Sequence, residues 1–88
     1  MLQSSQIRAA RALLGWRQQD LATASHVGVA TIQRIEKGDG AVMSNVATLL
    51  RLQETIERAG VRFISSDGGG GVGVRLASAK QRKSKIKK

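Results

Sequence analysis

The stretch Gln18-Gln19-Asp20-Leu21-Ala22-Thr23-Ala24-Ser25-His26-Val27-Gly28-Val29-Ala30-Thr31-Ile32-Gln33-Arg34-Ile35-Glu36-Lys37 decides how this chain folds. Its apolar positions predict two short helices joined by a tight turn, the spacing of a helix-turn-helix. The first would run from Gln18 to Ser25 with Leu21 and Ala22 inward, Ala22 being small enough for close helix approach. Ser25-His26-Val27-Gly28 makes the turn, and Val27 fills the angle between the helices. The second would run from about Val29 to Lys37, burying Ile32 and Ile35 at i, i+3. Val29, Ala30, Gln33 and Arg34 are left on its outer face, and a short helix presenting such side chains fits a DNA major groove. On periodicity alone, an ordinary helical hairpin in a small core reads equally well.

Outward from this stretch, a helix is expected from about Ser4 to Leu14, with Ile7, Ala10 and Leu14 inward and Gly15 stopping it. After Gly38 comes a flexible loop, Asp39-Gly40-Ala41-Val42-Met43. Another helix follows, N-capped by Ser44, continuing to Ala59 and ended by Gly60. Val46, Leu49, Leu50, Gln53 and Ile56 would share its inner face, with Gln53 marking a core edge or an interface. Arg51, Glu54, Glu57 and Arg58 would lie toward water as an ion-laced face. Val61-Arg62-Phe63-Ile64 and Val72-Gly73-Val74-Arg75-Leu76 read as two short strands around a glycine-rich loop. A lone two-stranded hairpin is marginal in water, so it must lie on the helices or pair with a second subunit. Pairing in a two-fold dimer is favoured, because a dimer would offer two recognition helices to a palindromic site. From Ala77 onward a disordered basic extension is expected.

The composition sets bounds. Eighty-eight residues predict one small domain with no separate effector domain. Trp16 and Phe63 are the only aromatic residues, so the core must be aliphatic, and Trp16 is expected to pack rather than stack on bases. No cysteine means no disulfide and no thiol chemistry, and one histidine is too few for a usual zinc site. Neither a metal nor a cofactor is expected. No signal peptide or membrane-spanning run is evident, which predicts a cytoplasmic protein. The net charge of +9 is uneven: residues 79–88 hold six cations and no acid, the remainder nine cations against six acids. A catalytic set from Asp20, Ser25 and His26 lacks a surrounding pocket. The Gly68–Gly71 run lacks the Gly-Lys-Ser/Thr ending and following helix of a phosphate loop.

The run from Leu13-Leu14-Gly15-Trp16-Arg17-Gln18-Gln19-Asp20-Leu21-Ala22 through Ile32-Gln33-Arg34-Ile35-Glu36-Lys37-Gly38 resembles the XRE family of lambda-repressor-like or Cro-like DNA-binding domains. Members commonly carry a Leu-Gly-x-Ser-Gln-x-x-Leu-Ala block, a Gly-Val-Ser turn and an Ile-x-x-x-Glu-x-Gly close. The resemblance covers roughly Ile7 to Ala59 and implies a mainly α fold. That fold is a lambda-repressor-like four-helix domain over 1–60 (motif 18–37), with a short C-terminal β-hairpin over 61–76 and a basic disordered tail over 77–88. Three positions depart from the pattern. His26 stands where relatives place glycine in a left-handed turn, a substitution costing ~1–2 kcal/mol. Gly28 replaces the usual serine cap, and Arg17 replaces the serine before Gln18, exchanging a cap for a cation at the phosphate edge.

The resemblance implies a sequence-specific transcription regulator that binds an operator in double-stranded DNA, as a homodimer and without enzymatic chemistry. Val29, Ala30, Gln33 and Arg34 are the expected base readers: Arg34 for guanine, Gln33 for adenine, Val29 or Ala30 for a thymine methyl. Gln18 is expected on phosphate, with Arg17, Thr31, Lys37, Ser44 and Asn45 as further backbone contacts. Simple capping explains Ser44 equally well. Lys80, Arg82, Lys83 and Lys85 would add tail contacts, against the alternatives of minor-groove wrapping or mere solubility. Glu36, acidic on a helix expected to face DNA, is expected to pair with Arg11 and fasten the first helix to the third. Two competing functions use the same fold. One is the DNA-binding antitoxin of a toxin–antitoxin pair, whose hairpin and tail would hold the protein partner. The other is a protein-binding antiactivator, which would be expected to lose Gln18 and Arg34. An RNA binder would need stacking aromatics that this chain lacks.

Overall fold

A computed structural model describes residues 2–38 and 44–78. Its elements are α1 (Ser4–Leu14), α2 (Gln18–Ser25), α3 (Val29–Lys37), α4 (Val46–Arg58), β1 (Val61–Ile64) and β2 (Gly73–Leu76). The loop expected at 39–43 and the tail contacts Lys80, Arg82, Lys83 and Lys85 lie outside the described residues.

Local chemistry sets the boundaries of the first three helices. The Gln6 side-chain oxygen accepts the Gln3 N–H at 2.9 Å, satisfying a donor at the start of α1. Gly15 ends α1 at φ 70°, with its own N–H on Ala12 and that of Trp16 on Arg11, the paired bonds of a Schellman end. The Asp20 carboxylate accepts the Arg17 N–H at 2.8 Å, so α2 regains from its third position part of what the missing serine cap would supply. His26 ends α2 in the left-handed region at φ 60°, its N–H on the Ala22 carbonyl at 2.9 Å. Buried Ser25 braces this turn by donating to the Leu21 carbonyl at 2.7 Å and accepting the Val27 N–H at 3.3 Å. Gly28 then caps α3 with its carbonyl, which receives the N–H groups of Thr31 and Ile32.

Ile7, Ala10 and Leu14 from α1 meet Leu21 and Ala22 from α2, Val27 from the turn, and Ile32 and Ile35 from α3. Leu52 and Ile56 from α4 and Val61 from β1 complete this core, and Trp16 packs at its margin. The apolar residues read as inward in the first three helices are all buried, and the polar Ser4, Gln6, Ser25 and Glu36 are buried with them.

On α4 the reading needs correction. Asn45, not Ser44, is the N-cap, its Oδ1 accepting the Thr48 N–H at 2.8 Å. The buried face is Leu52, Thr55 and Ile56, with Leu49 and Ala59 beside it. Val46 is 70% exposed and Leu50 51% exposed, so the expected inner stripe is rotated. Thr55 enters the core because its hydroxyl donates to the Arg51 carbonyl at 2.7 Å, leaving only its methyl to pack.

The hairpin pairs antiparallel, Val61 opposite Leu76 and Phe63 opposite Val74. Of the two supports expected for it, it has the helices: β2 packs on α1 and β1 on α4. The Gln6 amide nitrogen bridges the strands, donating to the Ile64 carbonyl at 3.2 Å and the Gly73 carbonyl at 3.0 Å. Ala77, expected to begin a disordered segment, instead donates its N–H to Gly60 at 2.8 Å and extends the hairpin.

Candidate nucleic-acid interface

The outward side of α3 is the candidate site, and its geometry is set by bonds on its inward side. Glu36 is 3% exposed, and its carboxylate receives two parallel bonds from Arg11, Nε to Oε2 and Nη2 to Oε1, both 2.8 Å. A planar guanidinium matches a carboxylate in this two-point manner, which fixes orientation as well as distance. Gln18 Nε2 adds a third donor to Glu36 Oε1 at 3.1 Å, and Arg11 Nη1 reaches the Trp16 carbonyl at 3.0 Å. The expected Arg11–Glu36 pair is thus present, and it ties α1, the start of α2 and α3 into one cluster.

The C-terminal end of α3 is held by residues the sequence reading missed. Gly38 is extended at φ −83°, so no left-handed cap satisfies the last carbonyls. Side chains of α1 do so instead. Ser4 Oγ donates to the Ile35 carbonyl at 2.7 Å, and Arg8 Nη1 donates to the Glu36 carbonyl and, at 3.2 Å, to that of Gly38. A cation at this end also complements the helix dipole. Ser4 and Arg8 lie about thirty residues from their partners, so no local spacing signals the contacts.

With the inward side fixed, Ala30, Gln33 and Arg34 stand exposed beside one another. They share a shallow groove of about 640 Å³ with Gln18, Lys37 and Arg8, floored by Arg11 and Glu36. The other expected contacts distribute differently. Val29 is half-buried and packs against the core, and Thr31 is half-buried at the start of α3. Arg17 is exposed, but its guanidinium meets the Asp20 carboxylate at 3.2 Å. That hydrogen bond, and then the charge of Asp20, push the Arg17 pKa up. Ser44 and Asn45 sit at the head of α4 and do not line the groove, and Asn45 is committed to capping.

Among the described residues, no group of His, Cys, Asp or Glu could hold a metal ion, and no helix is long and apolar enough to cross a membrane. A family model described as helix-turn-helix matches residues 7–57, from the core residue Ile7 to the last turn of α4. No curated protein and no solved structure matches the chain significantly. The family is one of DNA-binding regulatory domains and is not typically enzymatic. The matched span holds α1 to α4, the buried carboxylate and the left-handed turn, and the chain belongs to the XRE, lambda-repressor-like helix-turn-helix family of DNA-binding transcription regulators.

Proposed function

We propose that the protein is a sequence-specific regulator that docks α3 in the major groove of an operator and binds as a dimer. One observation carries the reading. The polar bonds that fix α3 run to Arg11, Arg8, Ser4 and Gln18, while Ala30, Gln33 and Arg34 stay exposed along the rim of the groove those partners line. Such a helix is a pre-oriented reading head, and ordering it on binding costs little. In this reading Arg34 addresses guanine O6 and N7, Gln33 addresses adenine, and Ala30 with the exposed part of Val29 touches a thymine methyl. Each good two-point contact discriminates by ~1–3 kcal/mol. Gln18 keeps one amide hydrogen beyond the one given to Glu36, and that hydrogen, with Lys37, Arg17, Thr31 and the Ser44–Asn45 turn, takes phosphate oxygens.

A single short helix reads few base pairs, and two copies related by a two-fold axis double the site. Val46 and Leu50, exposed one turn apart on α4, support a second copy covering that ridge. The test is selection of bound sequences from random duplexes, repeated with Arg34→Ala. Loss of preference at one base position is expected, and a uniform drop across all positions would contradict direct reading by Arg34.

A further inference from the structure

The hairpin carries a second cationic surface. Its register sets Arg62 directly opposite Arg75, and both side chains are exposed. Strand alternation puts Val61, Phe63, Val74 and Leu76 on the helix side of the sheet and the two arginines on the outer side. Like charges directly opposite across a strand pair destabilise it. Among the described residues, the ion pairs are Arg11–Glu36 and Arg17–Asp20, and neither hairpin arginine meets a carboxylate. Asp67, the acid of the intervening loop, uses Oδ1 to accept the N–H groups of Gly69 and Gly70. Arg58, also exposed, lies four residues before Arg62, and six further cations follow β2 in residues 79–88.

We propose that the outer face of the hairpin is a second anion-binding surface, taking the phosphodiester backbone of nucleic acid through Arg62 and Arg75. It is distinct from the α3 surface: α3 packs on α1 and α2, whereas the hairpin packs on α1 and α4. Two forked guanidinium groups side by side suit successive phosphates of one strand, each fork gripping two oxygens. The proposal rests on the reading that the chain binds duplex DNA and adds a contact that is blind to sequence. An acidic protein segment is the other chemistry that would suit two arginines, but duplex is the polyanion this family already engages.

The experiment measures duplex affinity of the full chain against salt concentration, for wild type, Arg62→Gln/Arg75→Gln and Arg62→Lys/Arg75→Lys. Two lost phosphate contacts should make the log–log salt slope shallower by about 1.8 in the glutamine variant, up to about sixty-fold in affinity between 0.1 M and 1 M salt. The lysine variant should keep the wild-type slope. Sequence preference should be the same in all three, and the melting temperature of the glutamine variant should be unchanged or higher, because a repulsion has been removed. A single Arg62→Gln should show about half the slope change. If the double glutamine variant keeps the wild-type slope, the proposal is overturned while the role of α3 stands. Slope loss in a protein with no sequence preference overturns the reading of α3 and upholds the hairpin. A wild type that ignores every duplex overturns both. Binding of polyglutamate that needs Arg62 and Arg75, with an unmoved duplex slope, would assign the surface to an acidic protein segment instead.

Discussion

Replacing Glu36 by glutamine removes one charge and almost no volume, which makes it the sharpest probe of how α3 is held. The carboxylate takes two bonds from Arg11 at 2.8 Å and one from Gln18 at 3.1 Å. Glutamine keeps one oxygen but turns its amide N–H toward a guanidinium that can only donate. Breaking a buried pair from one side costs ~3–5 kcal/mol, whereas an exposed pair is worth under ~1. Glu36 is 3% exposed but Arg11 20%, so the stranded guanidinium recovers some hydration and the cost falls at the low end, about 3 kcal/mol. For a domain of this size each kcal/mol moves the melting temperature by roughly 4–8 °C, giving a drop of about 12–24 °C. Thermal unfolding followed by circular dichroism measures it. A double-mutant cycle with Arg11→Met should return at least about 1 kcal/mol of coupling, because removing both partners leaves no lone buried charge. A drop under about 4 °C would refute the clamp and leave two independently hydrated ions.

Three further outcomes are expected. Gln6→Ala should cost ~1–3 kcal/mol, since two strand carbonyls lose their shared donor, and hydrogen exchange should quicken across β1 and β2 before it quickens in α2. His26→Gly should stabilise by about 0.5–1 kcal/mol in urea unfolding, because φ 60° costs an L side chain more than glycine's extra chain entropy; His26→Val should destabilise. Leu52→Ala should cost ~2–5 kcal/mol, and Glu54→Gln should stay within about 0.5 kcal/mol in the same assay, separating the two faces of α4.

The contrast on α4 shows what the sequence made legible and what it hid. In α1, α2 and α3 the inward apolar residues form one stripe, and Gly15 and His26 end the first two helices in the left-handed region, so bounds and buried faces could be read directly. In α4 apolar residues occupy two stripes, Val46–Leu50 and Leu49–Leu52–Ile56. Periodicity cannot rank two stripes when the buried one contains a threonine whose hydroxyl is satisfied by its own helix. The candidate site divides in the same way. Outward residues of α3 followed from the stripe opposite them, and the Arg11–Glu36 pair from family resemblance. The bonds of Ser4 and Arg8 to the end of α3, and of Gln6 to both strands, join residues far apart in sequence. Polar residues of that kind look like surface until the partner carbonyl is in place.

In the proposed complex α3 lies in the major groove with Arg34 on a base edge. Dimethyl sulfate distinguishes the grooves, since it modifies guanine N7 in the major groove and adenine N3 in the minor groove. With a duplex recovered by selection, the wild-type protein should shield guanine N7 within each half-site, and Arg34→Ala should unshield one guanine while leaving the others protected. Shielding confined to adenine N3, or N7 protection indifferent to Arg34, would contradict the account.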